Sequence, residues 1–265
     1  MRYSNLHTHT LFSDGKDTVE AYIRTAVEKN MLSLGFSDHS HTPCDLSYCM
    51  TKDRYAEYLR TLERVKREAP IPVYAGLELD ADSEDDLSPY DYFIASVHYI
   101  KVKGACYPVD HEPWMQADCI REGFGGDALA MVRAYFDTLG NHVAKVKPTF
   151  VGHFDLPLKF SALPEASDAY REVARDAMKE ILKLCPYIEL NTGAMSKGYR
   201  KTPYPAPWLL DTVRENGGRV VLSSDAHRPE HLTFWFDEAA TLLKKHGIHR
   251  IYVFNGTGFD AVDIL

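Results

Sequence analysis

The sequence predicts an α/β fold in which parallel strands are joined by crossover helices, as a barrel or an open sheet. Two observations carry this. Short apolar runs alternate with amphipathic segments along all 265 residues, the pattern of repeated strand–helix units. Histidines and acids also recur directly after the apolar runs, where the strands of a parallel barrel converge on one face.

The elements follow in order. A short strand at Tyr3 to Leu6 opens the chain, and Val19 to Lys29 reads as a helix with Val19, Tyr22, Ile23, Ala26 and Val27 on one face. Asp17 and Thr18 stand where its N-cap belongs. Further strands are expected at Met31 to Phe36, Ile71 to Leu79, Tyr92 to Val97, Thr149 to Gly152, Tyr187 to Leu190, Arg219 to Leu222 and Arg250 to Phe254. Helices are expected from Arg54 to Glu68, Ala128 to Lys145, Ala169 to Cys185, Pro207 to Asn216 and Pro229 to His246. Asn216-Gly217-Gly218 is a helix stop. Lys103 to Gly126 carries Gly, Pro, Trp and acids and reads as an irregular insertion over one face of a single domain spanning 1–265.

Composition narrows the function. Apolar residues at 45% and charged residues at 26% are those of a soluble globular enzyme. A formal net charge of -8 argues against general affinity for nucleic acid, though bound cations could still attract an anionic substrate. Cys44, Cys49, Cys106, Cys119 and Cys185 are odd in number and never spaced as CxxC, so reduced thiols in a cytoplasmic protein are expected. Neither a signal-peptide pattern nor a long apolar run points to a membrane.

His7, His9, His39, His98, His153 and His227 each follow a predicted strand, joined by Asp14, Asp38, Glu78 and Asp225. Imidazoles and carboxylates without thiolates suit Zn, Mn or Fe ions. In extended chain His7 and His9 share a face and can grip one ion, and the two oxygens of Glu78 could bridge two. A lone strand-end histidine is more often a hydrogen-bonding group, and Asp38 or Asp225 could merely cap a turn. The joint pattern favours a metal site, and Glu78, ending an apolar strand, would be costly without partners. His41 could also reach the pocket, whereas His111, His142, His231, His246 and His249 are expected at the surface.

HTHTLFSDG from His7, SDHS from Ser37, the strand-end Glu78, SVHY around His98, GHFD around His153 and SDAH from Ser224 resemble the motifs of the polymerase-and-histidinol-phosphatase (PHP) superfamily. The tracts ELNTGAMSKGYRKTPYP and SDAHRPEHL resemble its histidinol-phosphate phosphatase branch. The resemblance implies a distorted (β/α)7 barrel with three divalent metal ions at the C-terminal ends of the strands. By motif position one ion takes His7, His9, Glu78 and Asp225; a second shares Glu78 and adds His98 and His153. The third takes His39 and His227 with a ligand from the first loop, where Asp14 stands in the place of the histidine many members carry.

The implied reaction is hydrolysis of a phosphate monoester, L-histidinol phosphate, by an activated water attacking phosphorus in line with the leaving alkoxide. Glu78, Asp225 and His227 are the catalytic candidates. Arg200, Lys201, Lys159 and His41 are the candidates for holding substrate, and His41 or Asp155 for the proton donor. Asp110, Glu112, Trp114 and Asp118 offer acids and an aromatic wall for the substrate's amine and imidazole. A nuclease or phosphodiesterase of the same superfamily is the first alternative, and a non-catalytic metal-binding module the second.

Overall fold

The computed structural model describes residues 2–160 and 162–264. Along the chain lie β1 (Ser4–Asn5), α1 (Val19–Glu28), β2 (Ser33–Phe36), α2 (Tyr55–Glu68), β3 (Val73–Asp80) and β4 (Tyr92–Ser96). A hairpin of β5 (Tyr99–Val102) and β6 (Ala105–Pro108) follows, then α3 (Pro113–Asp118), α4 (Ala128–Val146), β7 (Phe150–Val151) and α5 (Asp168–Leu184). The chain continues through β8 (Tyr187–Asn191), α6 (Gly193–Ser196), α7 (Leu210–Glu215), β9 (Arg219–Ser223), α8 (Phe236–Lys245), β10 (Arg250–Phe254) and β11 (Phe259–Asp263).

Seven parallel strands in the order β1-β2-β3-β4-β7-β8-β9 make a nearly closed barrel. Closure comes beyond the ends of β1 and β9, where Thr8 bridges Ala226 in parallel and His9 N–H donates to Ala226 O at 2.9 Å. The helices form where the 3.6-residue period and the caps agree. Thr18 caps α1 by accepting from Ala21 N–H, and Val19, Tyr22 and Ala26 face the core. Asp127 and Ser167 cap α4 and α5 in the same way.

Several expectations need correction. Arg250 to Phe254 is a strand but not part of the parallel sheet; it pairs antiparallel with β11. This hairpin sits under the N-terminal ends of the strands, with Phe254 edge-on to Tyr74 at 5.0 Å and Phe259 stacked on Tyr187 at 4.2 Å. A run of β-branched and aromatic residues signals a strand without saying what it pairs with. Lys103 to Gly126 is largely ordered: Lys103 (φ 51°) and Gly104 (φ 85°) form the tight turn between β5 and β6, and α3 follows. The helix expected from Pro229 becomes α8 only after Trp235, whose φ of 61° breaks the run.

Two side-chain expectations also fail. Cys44 and Cys106 are joined in a disulfide, leaving Cys49, Cys119 and Cys185 free and buried; the hairpin brings β6 against the loop after β2, a proximity that spacing in the chain does not reveal. His142 is buried on the inner face of α4, its Nε2 donating to Leu79 O at 2.9 Å. No described helix is long and apolar enough to cross a membrane.

Candidate metal centre

Each barrel strand delivers its polar side chains to the same end. The chain leaving β1 carries His7 and His9, that leaving β2 carries His39, and β3 presents Glu78. The turns after β4, β7 and β9 add His98, His153, Asp225 and His227. Glu78, fully buried, is the hub. Its Oε2 lies 3.2 Å from His7 Nε2, 3.4 Å from His9 Nε2 and 2.8 Å from His39 Nδ1. Its Oε1 lies 2.8 Å from His153 Nε2 and 3.6 Å from His98 Nε2.

A second carboxylate closes the other side. Asp225 Oδ1 stands 3.2 Å from His9 Nε2, 3.7 Å from His7 Nε2 and 3.3 Å from His227 Nδ1. Asp225 holds a left-handed φ of 46°, and a Cβ at Gly193 would come within 2.8 Å of its Cβ. Only glycine lets the turn after β8 pass this close. Asp14, from the first loop, lies 3.0 Å from His227 Nε2 and 3.6 Å from His39 Nε2.

The donor set fits divalent cations. His9, Asp14, His39 and His227 place one donor atom each within 4.8 Å of one another, as do His7, His9 and Glu78, then His7, His153 and Asp225, then His39, Glu78 and His98. Among the buried side-chain atoms without a hydrogen-bond partner are His7 Nε2, His9 Nε2, Glu78 Oε2, Asp225 Oδ1 and Asp14 Oδ1. Orphaned buried donors and acceptors are costly unless something bonds them. Here each lies within 4 Å of another donor atom of the cage.

An outer layer orients the rings. His7 Nδ1 donates to Glu189 at 2.6 Å, His98 Nδ1 to Asp80 at 2.8 Å and His227 Nδ1 to Asp225 O at 3.0 Å. Each bond fixes a tautomer and leaves the other nitrogen to face inward. The electrostatics follow from crowding. Burial works against ionised Glu78, but His7, His39 and His98 hold its carboxyl well below the usual range. Burial likewise opposes a charge on Asp225, and Lys197 and His7 outweigh it. His39, despite burial, is pushed up to about 9 by Glu78 and Asp14. His9 is driven the other way, by burial and then by His39 and His227.

The cage opens into a cavity of about 290 Å³ whose walls include Tyr48, Tyr99, Asp110, Glu112, Lys159, Lys197, Tyr199 and Tyr204. Of the residues expected to hold substrate, Lys159 lines it. Arg200 does not: its guanidinium binds Leu158 O and Thr202 and lies 5.1 Å over the Tyr204 ring. Lys201 is exposed and outside it. His41 opens into a different surface depression with Lys52 and Glu84. Asp155 is sealed beneath the site, accepting from Ala206 N–H at 2.9 Å, and burial pushes its carboxyl up to about 6. Asp38 ties down the first loop, accepting from Thr10 and Ser13. Asp110 and Glu112 line the cavity, but Trp114 is exposed and Asp118 pairs with Arg121.

Lys197, Asp80 and Glu189 also contact the cage histidines, from positions outside the strand-end candidates. Asp80 lies two residues after Glu78 and so on the same strand face, a signal that was present. Glu189 interrupts the apolar strand β8 just as Glu78 interrupts β3. Lys197 follows α6 in a turn, with no comparable pattern to expose it.

Parallel strands ending in a cage of imidazoles and carboxylates define a metal-binding barrel. The chain belongs to the PHP domain family, whose model matches residues 5–193. It is 27% identical over 256 residues to a protein named probable histidinol-phosphatase from Deinococcus radiodurans, covering 92% of this chain and 93% of that one. It is 24% identical over 247 residues to the histidinol-phosphatase of Bacillus subtilis, covering 84% of this chain and 92% of the relative. The crystal structure of histidinol phosphate phosphatase from Lactococcus lactis, in complex with zinc, L-histidinol and phosphate, superposes with a TM-score of 0.70 at 20% identity, covering 98% of this chain and 99% of that one.

Proposed function

We propose that this protein is a metal-dependent phosphomonoesterase that hydrolyses L-histidinol phosphate to L-histidinol and phosphate. The observation that carries the reading is Glu78, a buried carboxylate faced by His7, His9, His39, His98 and His153, the last three of which line an open pocket. Relatives matched along most of both lengths bear the histidinol-phosphatase name, and a solved neighbour holds zinc with both products of that reaction.

In this reading three divalent ions are held, one by His7, His9, Glu78 and Asp225, one by Glu78, His98 and His153, and one by Asp14, His39 and His227. Bound there, they supply Lewis acidity and an activated water near neutral pH. Their charge of about +6 exceeds the roughly -3 of Asp14, Glu78 and Asp225, which favours a phosphate dianion in an otherwise acidic protein. Glu78 and Asp225 would hold the ions that activate the water, and His227 would do so beside them, its Nδ1 3.3 Å from Asp225 Oδ1. Lys197 Nζ, 3.5 Å from His227 Nε2, and Lys159 flank the pocket on the Asp225 side and would meet phosphate oxygens as point charges. Tyr48 lies edge-on to His39 at 4.8 Å and forms part of the cavity wall on that side.

The test is turnover of a panel of phosphate monoesters by protein stripped with chelator and reloaded with Zn, Mn or Fe, beside a single-stranded oligonucleotide. Phosphate release should be greatest from L-histidinol phosphate and vanish without metal. Faster cleavage of the oligonucleotide would favour the nuclease alternative, and full metal loading with no turnover would leave a binding module.

A further inference from the structure

The polar wall of the pocket contains a bond that a ligand must disturb. Lys159 Nζ pairs with Asp110 Oδ2 at 3.0 Å, their side chains only 14% and 19% exposed. Lys159 reaches the pocket from the turn after β7, and its ammonium also sits 4.7 Å from the Tyr199 ring centroid. Asp110 comes from the segment after β6 and lines the cavity with His98. Lys159 lines the same cavity as Asp225. The two charges therefore stand side by side on the cavity wall.

A largely buried ion pair is a weak source of stability, because desolvation cancels most of the attraction. Its partners here are not locked away in a core; both line the open pocket. A ligand with complementary charges could satisfy each of them without leaving either unpaired, which is what makes such exchange affordable. A phosphate monoester with an ammonium on the neighbouring carbon presents that arrangement: a dianion for Lys159 and a cation for Asp110.

We infer that Asp110 and Lys159 hold one another in place until substrate exchanges the pair, the phosphate taking Lys159 and the ammonium taking Asp110. Asp110 is thereby the residue that selects phosphate esters of 1,2-amino alcohols over esters that lack the amine. The inference rests on the phosphomonoesterase reading and assigns its amine subsite. An ester without the ammonium must strip Lys159 from Asp110 and leave a largely desolvated carboxylate unpaired, so the cost falls on the wrong substrate.

The experiment compares L-histidinol phosphate with its deaminated analogue, 3-(imidazol-4-yl)propyl phosphate, on metal-loaded wild type, Asp110→Asn and Lys159→Met. In wild type the ratio of kcat/KM for the two esters should be about 10 to 100, the scale of one charge-assisted hydrogen bond. In Asp110→Asn it should collapse toward about 1, chiefly through KM for the aminated ester. Lys159→Met should instead lower both esters together. A ratio unchanged in Asp110→Asn overturns the inference while leaving the phosphatase standing. Wild-type protein that hydrolyses neither ester overturns the phosphatase reading, and this inference with it.

Discussion

Glu189 accepts a hydrogen bond from His7 Nδ1 at 2.6 Å, with both side chains completely buried below the metal cage. The same carboxylate accepts from His153 N–H at 2.6 Å, from Asn191 Nδ2 at 2.9 Å and from Ser223 Oγ. One residue of β8 thus orients the His7 imidazole beyond β1 and pins the backbone of His153 beyond β7. Burial alone would raise its carboxyl, but His7 holds it below the usual range.

Replacing Glu189 with Gln should keep the shape and remove the charge that fixes the His7 tautomer. Loss of such an outer partner weakens metal affinity by about 10- to 100-fold. Metal titration of the stripped variant with a competing chelator measures it; wild-type affinity would mean that His7 is oriented by its neighbours alone.

Asp225→Ala removes the carboxylate that faces His7, His9 and His227. Turnover of L-histidinol phosphate should fall by at least about 10²-fold, a floor set by the scale of metal-assisted catalysis. Undiminished turnover in the metal-loaded variant removes Asp225 from the proposed ligand set.

Gly193→Ala tests the same carboxylate from behind. The added methyl would meet Asp225 Cβ at 2.8 Å and Asn191 Oδ1 at 3.0 Å. Displacement of a reacting geometry by about 1 Å costs on the order of 10²-fold in rate. We expect kcat to drop while circular dichroism stays that of wild type; equal kcat would show that the turn gives way instead.

His142 predicts an acid limb in stability. Burial lowers its pKa below the ordinary value of about 6.5, so the unfolded chain takes up the proton first as pH falls. The folded state is therefore favoured fully above about pH 6.5 and loses this contribution as pH drops through the depressed value. In His142→Gln, which keeps a donor for Leu79 O, the part of the urea-midpoint decline owed to this group should disappear. A decline of the same size in both proteins assigns it to other groups.

The Cys44–Cys106 bond closes a separation of 62 residues and ties the loop bearing Tyr48 to the β5–β6 hairpin. Cys44→Ser should cost about 2–4 kcal/mol, lowering Tm by several degrees. Alkylation of the unreduced, denatured protein should label Cys49, Cys119 and Cys185 only. Labelling of all five in protein taken directly from cells would mark the pair as reduced there, as in a cytoplasm.

Much of the site was visible before any folding. His7, His9, Asp14, His39, Glu78, His98, His153, Asp225 and His227 stand at predicted strand ends or in the first loop, and all of them come together in the cage. Asp38 shares that strand-end position and braces the first loop instead. Arg200 looked like a phosphate ligand because a basic residue beside a strand-end turn is the usual candidate. Its guanidinium found Leu158 O and the face of Tyr204 first.

Strand–helix alternation and polar residues at strand ends are local patterns, each written within a few neighbouring positions, so the order of residues alone determined the parallel α/β plan and the chemistry gathered at one end. Barrel closure at Thr8 and Ala226, the Glu189 contact to His7, the exchangeable Asp110–Lys159 pair and the Cys44–Cys106 link belong to tertiary structure. They join residues dozens to hundreds of positions apart. Hydrogen bonds and ion pairs act over a few ångströms of space, and only the packed barrel decides which distant groups come within that reach.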